Sequence, residues 1–280
     1  MATLGENRYG KSRVRVMKVV RHETHHAMKE WSVRVLLHGD FESCFTAGDN
    51  SNILPTDTMK NTVYWLARES QASTLEEFAI ELVEYLLANN LQVTKASAEI
   101  EEKNWEQVPI DGSPHATTYK LAGPELQTVE AVRERNGELK ITSGIDGLVI
   151  LKTTKSAFTG YIKDKLTTLP ESTDRIFGTR ATITWDYLQT PQNYEATRAT
   201  ALATLLKTFA DHDSLSVQHT LYDIGEALLE AISEIARVKL TMPNLHCLLV
   251  DLSRFGQENP NQIFVPIDEP HGYIEAVIER

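Results

Sequence analysis

Apolar and polar side chains alternate along Trp31-Ser32-Val33-Arg34-Val35-Leu36. Successive side chains of a strand point to opposite faces of a sheet, so this alternation predicts a half-buried β-strand. The stretch Arg13-Val14-Arg15-Val16 alternates in the same way, and residues 21–29, which separate the two stretches, are polar. The chain is therefore expected to open with an antiparallel hairpin.

A helix signal follows this hairpin. Ser73 and Thr74 precede Glu76 and Glu77, which is typical of a capping box at the start of a helix. Apolar residues then recur at helical spacing and predict one buried helix face, formed by Leu75, Phe78, Ala79, Leu82 and Leu86.

Two strands are expected after this helix, at residues 91–100 and 119–135, and the second half of the chain repeats the order. Strands are predicted there at residues 148–151, 181–187, 246–252 and 272–277. One helix is predicted after Pro191, with its apolar face formed by Leu202, Leu205, Leu206 and Phe209. Another is predicted from near Ser216, with Leu221, Ile224, Leu228, Ile232 and Ile235 on its apolar face.

This repetition predicts the fold class. A hairpin, a helix and two strands, occurring twice, indicate a duplicated α+β unit with helices on one face of an antiparallel sheet. The two units are expected at residues 1–138 and 139–280. A small antiparallel sheet has two edges that must be paired or covered. We therefore expect a homo-oligomer, and a monomer with covered edges is the alternative.

Composition narrows the class of protein. The chain has 280 residues, 41% of them hydrophobic and 24% charged, with a net charge of -11. This charge disfavours nucleic acid as a partner, since phosphate contacts need a basic surface, but it allows a small anionic ligand. No apolar run reaches the roughly 20 residues that span a bilayer, so no membrane segment is expected. Two distant cysteines, Cys44 and Cys247, and no secretory apolar region favour a reducing cytoplasm.

A polar loop at residues 48–64 is the first candidate for a functional site. It combines hydroxyl, amide, carboxylate and amine side chains in one segment. Loops held by a rigid scaffold often carry binding and catalytic residues. The alternative is a plain helix start, with Thr56 or Asp57 as the N-cap of a helix that begins near Met59.

The histidines separate into two kinds. The group His22, His25 and His26 fits neither a zinc finger nor a metalloprotease helix, so we expect solvated loop side chains and no metal site. By contrast, His246 lies two residues after Asn244, at the start of an apolar strand, where both side chains would face one side. A neutral imidazole beside an amide could move a proton. A histidine satisfied by the backbone is the alternative.

Three further segments suggest a ligand pocket. Phe158 lies between small residues and could stack on a flat ring, or it could be plain core. Arg175 offers a planar fork for a planar acceptor pair, or it could form a surface ion pair with Asp174 or Glu171. The start of the helix near Ser216 could bind an anion, or Ser214 or Ser216 could simply cap it. No phosphate loop or nucleophile elbow is present, so no bound cofactor is expected.

Taken together, these segments resemble the cofactor-independent urate oxidase (uricase) family over nearly the whole chain. The resemblance rests on six stretches in the same order: Arg8-Tyr9-Gly10-Lys11, residues 56–64, residues 155–161, residues 166–176, Ser216-Val217-Gln218 and Pro243-Asn244-Leu245-His246. It implies a tandem of two tunnelling-fold (T-fold) units, with two chains closing a barrel. It further implies a homotetramer with active sites at subunit interfaces.

The resemblance also implies a role for each site residue. Lys11, Thr56 and His246 would form a proton relay, with His246 from the other subunit. The substrate-binding residues would be Thr56, Asp57, Phe158, Arg175, Val217, Gln218 and Asn244, with Thr56 and Asn244 also near dioxygen. Urate and O2 would give 5-hydroxyisourate and hydrogen peroxide without a cofactor.

The sequence also indicates a cellular location and leaves two alternative functions open. Peroxisomal members of the family end in a targeting tripeptide, which Ile278-Glu279-Arg280 does not match, so a bacterial-type cytoplasmic enzyme is expected. One rival is another T-fold enzyme, acting on pterins or guanine nucleotides, although such enzymes anchor the heterocycle with a glutamate. The other rival is a purine-binding protein that consumes no oxygen.

Overall fold

The first half of the chain folds into a four-stranded antiparallel sheet with helices packed on it. The computed structural model describes residues 2–280 and divides the chain between Gly144 and Ile145. The elements of the first unit are β1 (Tyr9–Arg21), β2 (His26–Gly39), α1 (Glu42–Ala47), α2 (Thr56–Glu69), α3 (Leu75–Asn89), β3 (Val93–Ile110) and β4 (Ser113–Glu134). The strand order is β1-β2-β3-β4, with antiparallel pairing throughout.

The second half repeats this arrangement with additions near its C-terminus. Its elements are β5 (Leu139–Lys152), which crosses the division, β6 (Phe177–Tyr187), α4 (Tyr194–Asp211), α5 (Val217–Ala231), β7 (Ile235–Thr241), β8 (Asn244–Leu249), β9 (Phe264–Gly272) and β10 (Glu275–Glu279). The strand order is β5-β6-β7-β10, and the additional β8 pairs with β6 and β9. No helix in residues 2–280 is long and apolar enough to cross a bilayer.

Each unit has its own apolar core between sheet and helices. In the first, Trp31 of β2 stacks on Phe78 of α3 with ring centroids 4.7 Å apart, and both side chains are buried. In the second, Phe177 of β6 packs against Phe209 of α4 at 5.2 Å, beside the buried Trp185. Burial of this apolar area supplies the main driving force for folding each unit.

An arginine at the end of each unit makes the same contacts and supports the interpretation of a duplication. Arg135 donates to the carbonyls of Leu87, Asn90 and Val93. Arg280 donates to those of Leu229, Ile232 and Ile235. In both units these carbonyls belong to the last turn of a helix, the residue after it and the first residue of the next strand. The last carbonyls of a helix have no intrahelical partner, so each arginine caps a helix.

A buried carboxylate joins three strands of the first unit. Glu30 of β2 accepts hydrogen bonds from Lys103 at 2.8 Å and from the Trp105 indole at 3.0 Å, and it also pairs with Arg15. The Lys103 hydrogen bond, helped by Trp105 and Arg15, outweighs burial and lowers the pKa of Glu30 to about 2.

Several predicted elements are confirmed in place, with corrected ends. The capping box is present: Thr74 accepts from the Glu77 N–H, and the Glu77 carboxylate accepts from the Thr74 N–H. The polar hairpin loop is shorter than predicted, because β1 continues to Arg21 and β2 begins at His26. Polar side chains on the solvent face of a strand do not end it, which explains the difference.

The predicted start of α2 is wrong. The helix begins at Thr56, not near Met59, and its N-cap is Pro55, so neither Thr56 nor Asp57 is the cap. The Asp57 side chain instead pairs with Lys60 and accepts from Asn61 at 3.2 Å. The Asp57 carboxylate still lies in the first turn, where the positive end of the helix dipole stabilises a negative charge.

The apolar face assigned to the last helix also extends too far. α5 ends at Ala231, Ile232 is its C-cap, and Ile235 is the first residue of β7, which was not predicted. Ile235 packs into the same core from a strand, so the apolar spacing continues although the helix does not. In α4, Leu206 is 39% exposed and lies outside the buried face.

The strands near the C-terminus also begin and end at other residues than predicted. β8 covers Asn244–Leu249 instead of residues 246–252, and the predicted strand at 272–277 divides into the end of β9 and β10. β9 itself was not predicted, since polar residues and prolines interrupt its sequence.

Candidate active site

The start of β1 and the polar loop before α2 are held together in the first unit. The Tyr9 hydroxyl donates to the Leu54 carbonyl at 3.1 Å and accepts from the Leu54 N–H at 2.8 Å. This double contact fixes the backbone one residue before Pro55, the N-cap of α2. The Gln92 amide also donates to the Asn52 carbonyl at 3.1 Å. The loop is therefore positioned by residues distant in sequence.

Gly10 accounts for the local geometry beside Lys11. A Cβ on Gly10 would lie 1.9 Å from the Val35 carbonyl oxygen, so no other residue fits there without displacing β2. The β1–β2 register shifts between Lys11 and Val14, which marks an irregularity directly after Lys11. These features place Lys11 on an irregular strand segment, the kind of position that often carries functional side chains.

Lys11 and the first turn of α2 are close enough to interact electrostatically. Hydrogen bonding and charge from Lys60, with smaller contributions from Asn61 and the Lys11 charge, hold the pKa of Asp57 below its usual value. Thr56 is partly buried and Asp57 is exposed. The first turn of α2, which contains Thr56 and Asp57, therefore lies within electrostatic range of Lys11.

In the second unit, backbone hydrogen bonds join three loop segments. The Phe158 N–H donates to the Ser172 carbonyl at 2.8 Å, and the Arg175 N–H donates to the Ser156 carbonyl at 2.8 Å. On the other side of this segment, the Ala157 N–H donates to the Ser214 carbonyl at 2.7 Å. These hydrogen bonds therefore hold the segments of Phe158, Arg175 and the residues before α5 together. A ligand pocket formed by the three segments requires this arrangement.

Arg175 is the most distinctive side chain of these three segments. Its guanidinium carbon lies 5.3 Å from the centroid of the Phe158 ring. Burial lowers the pKa of Arg175. Among residues 2–280, its buried Nε has no hydrogen-bond partner. A buried donor without a partner is costly, so this atom is suited to an acceptor on a ligand. The predicted alternative, a surface ion pair with Asp174 or Glu171, is not among the ion pairs of the described residues.

Phe158 and Tyr161 form an aromatic pair that the sequence did not reveal. Their rings stack with centroids 4.8 Å apart and an interplanar angle of 13°. Tyr161 also donates from its hydroxyl to the Leu169 carbonyl, which holds it in place. Both rings are partly exposed, so Phe158 is not plain core. The aromatic residue three positions after Phe158 was the available signal.

The start of α5 presents free backbone donors. Ser216 is the N-cap and its side chain accepts from the His219 N–H at 3.1 Å, so the predicted capping is confirmed. Val217 and Gln218 are the first two helical residues, whose N–H groups have no acceptor within the helix. The Val217 side chain is buried and that of Gln218 is exposed. Capping and ligand binding can therefore coexist at this helix start.

Asn244 and His246 lie on β8, with a register irregularity between them. Asn244 is opposite Thr179 of β6 and Gly272 of β9, and His246 is opposite Ile267. The shift between the two positions means that simple alternation does not decide whether both side chains face one side, so that expectation stays a prediction. Thr179, which sequence reasoning missed, is fully buried, and its hydroxyl has no partner among the described residues.

Side chains of the kinds that bind metal ions lie close together at one place in the described part of the chain. His212, His219 and Asp223 each offer a ligand atom within 4.8 Å of the others. The spacing of His219 and Asp223, four residues apart on α5, was a signal that the sequence analysis did not use. The His22 and His25 rings stack at 4.6 Å, but no described group there completes a metal cluster.

Comparison with known proteins places the chain in a family. The Uricase family model matches residues 7–132 and 141–275. The chain is 41% identical over 278 residues to a uricase of Arthrobacter globiformis, covering 99% of this chain and 90% of that protein. It is 40% identical over 295 residues to Uricase-2 isozyme 2 of Glycine max, covering 98% of this chain and 94% of that protein.

Structural similarity agrees with the sequence match. The crystal structure of uricase from Arthrobacter globiformis superposes with a TM-score of 0.94 at 40% identity, covering 100% of this chain and 96% of that one. The predicted α+β class, a tandem of two T-fold units with helices on an antiparallel sheet, is thereby confirmed. With its family model matched over nearly its whole length, the chain belongs to the uricase family.

Proposed function

We propose that this chain is a urate oxidase that converts urate, O2 and water to 5-hydroxyisourate and hydrogen peroxide, without a metal or organic cofactor. Membership of the uricase family supports the activity. Within the chain, the observation that carries the proposal is the buried, unpartnered Nε of Arg175 beside the Phe158 ring. A flat, anionic heterocycle satisfies both groups at once.

The substrate-binding residues act from two sides of the heterocycle. Tyr161 covers one face of Phe158, so the purine stacks on the other face of that ring. Arg175 donates from its guanidinium to acceptors on one polar edge and favours the more anionic form of urate by charge. On the opposite edge, the Gln218 amide and the Val217 N–H, at the positive end of α5, bind the remaining polar atoms.

Proton movement is assigned to a relay. Urate must lose protons to become electron-rich enough to reduce dioxygen. Lys11 and Thr56 of one subunit would pass these protons to His246 of the other subunit in the pair. Asn244 and Thr56 would hold dioxygen over the ring, and Asp57 would help to position the substrate. Fixed orientation of the reactants then supplies much of the acceleration.

This relay requires an assembly of chains. We propose a homotetramer in which paired chains close barrels through their sheet edges and complete each active site at a subunit interface. Removing exposed strand edges by such pairing is favourable in itself. A cytoplasmic location is part of the same proposal, and neither nucleic acid nor membrane is required as a partner.

The test is urate consumption by metal-stripped protein in air, with peroxide measured in the same reaction. Equal amounts of urate lost and peroxide formed would support a cofactor-independent oxidase. Tight urate binding without oxygen uptake would instead indicate a purine-binding protein. If metal-stripped protein that is folded and binds urate becomes active only after zinc, iron or copper is added, the cofactor-free proposal is contradicted.

A further inference from the structure

Three side chains from two helices meet beside the start of α5, and none of them is among the residues assigned to urate. His212 is the C-cap of α4, and His219 and Asp223 lie one turn apart on α5. The Nδ1 of His212 is 2.8 Å from one oxygen of Asp223, and the Nε2 of His219 is 3.8 Å from the other. The two imidazole rings meet edge to face with centroids 4.5 Å apart.

These separations are close to those that a metal ion requires. With bonds of about 2.0 to 2.2 Å to nitrogen and oxygen, two ligand atoms of a tetrahedral zinc ion lie about 3.3 to 3.5 Å apart. The observed separations of 2.8 and 3.8 Å, which are measured to the two different oxygens of Asp223, lie on either side of this value. One ligand atom from each of the three residues lies within 4.8 Å of the others, so side-chain rotations would bring them around one ion. Two imidazoles and a carboxylate also suit a borderline ion such as Zn²⁺ better than Ca²⁺ or Mg²⁺.

His212 is the most buried member of this group. Its side chain is only 10% exposed, and its Nδ1, which faces Asp223, is the nitrogen that would bind the ion. His219 and Asp223 are 42% and 32% exposed, so an ion could enter from solvent and keep a bound water. The Lys152 ammonium, which donates to the His212 carbonyl, is a nearby positive charge that would oppose binding.

We propose that His212, His219 and Asp223 form a structural site for a divalent transition-metal ion, with Zn²⁺ as the fitting example. The ion would join the C-terminus of α4 to the first turns of α5 and so fix the loop that leads to Val217 and Gln218. None of the three ligands is assigned to the substrate or to the proton relay. The site therefore stabilises the scaffold and takes no part in the oxidation.

The test is calorimetric titration of metal-stripped, full-length protein with zinc chloride, together with the melting temperature. The variants are His219→Gln and Asp223→Asn, which keep side-chain size on an exposed helix face. The control is His25→Gln, which changes one of the exposed, stacked histidines of the β1–β2 loop. None of these measurements uses urate, so the outcome is independent of the proposed oxidase activity.

We expect one equivalent of Zn²⁺ per chain and a raised melting temperature for the parent protein and for His25→Gln. His219→Gln and Asp223→Asn should each bind at least about tenfold more weakly, since even loss of an outer partner costs that much. Parent-like binding by both variants, loss of binding in His25→Gln, or no binding by the parent would overturn the site.

Discussion

Replacing Arg135 with alanine is expected to destabilise the protein by about 3 kcal/mol. The guanidinium donates three hydrogen bonds, at 2.9 Å to Val93, 2.9 Å to Leu87 and 2.6 Å to Asn90. Hydrogen bonds from a charged group contribute about 1.5 to 3 kcal/mol each, but partial exposure lets water replace part of each bond. We therefore count about 1 kcal/mol for each of the three bonds.

The duplicated fold supplies an internal comparison. Arg280 makes the equivalent contacts in the second unit but is exposed, so Arg280→Ala should cost only about 1 to 2 kcal/mol. Arg133→Ala, at the end of β4 and two residues before Arg135, is the matched control. Arg133 pairs with Glu84 at 3.4 Å on the surface, and such pairs contribute less than about 1 kcal/mol.

The assay is urea unfolding followed by circular dichroism, at one protein concentration because assembly changes apparent stability. For a chain of this size, about 3 kcal/mol also corresponds to a fall in melting temperature of about 6 to 10 °C. If Arg135→Ala unfolds within about 0.5 kcal/mol of the parent, or costs no more than Arg133→Ala, the carbonyl-capping role is refuted.

Four further predictions concern stability and catalysis. The folded-state pKa of Glu30 is lowered from 4.5 to about 2, so its contribution to the free energy of unfolding is present above about pH 5 and is lost as the pH falls through 2. In acid unfolding experiments, the parent should therefore lose up to about 3 kcal/mol of stability that Glu30→Gln does not lose. Lys11→Ala or Thr56→Ala should lower kcat by about 10² to 10⁴ while KM changes little in steady-state assays, and an unchanged kcat would remove the relay. Arg175→Ala should weaken urate binding by about 10- to 150-fold in a direct titration, and near-parental affinity would place the guanidinium outside the site. Gly10→Ala should lower both stability and kcat, because its Cβ would meet the Val35 carbonyl at 1.9 Å; parental unfolding curves would show that the two strands can separate at no cost.

Much of the fold could be predicted because its signals are local. The alternation along residues 31–36 and the capping box at Thr74 each act within a few residues, and both are confirmed. The spacing of elements also indicated the duplication, which the matched contacts of Arg135 and Arg280 support. The ends of elements were harder, since Ile235 has the same apolar spacing whether it lies in a helix or a strand.

For the candidate site too, the sequence determined some features and the tertiary structure determined others. By itself, the sequence determined which side chains are present and, through six ordered stretches, the family to which they belong. Only the tertiary structure decided that the Tyr9 hydroxyl holds the loop at Leu54, that Arg175 keeps an unpartnered nitrogen beside Phe158, and that His212 meets Asp223. Local propensity acts over a turn or two of backbone, whereas these contacts arise from the packing of the whole core, in which each distant pairing depends on all the others.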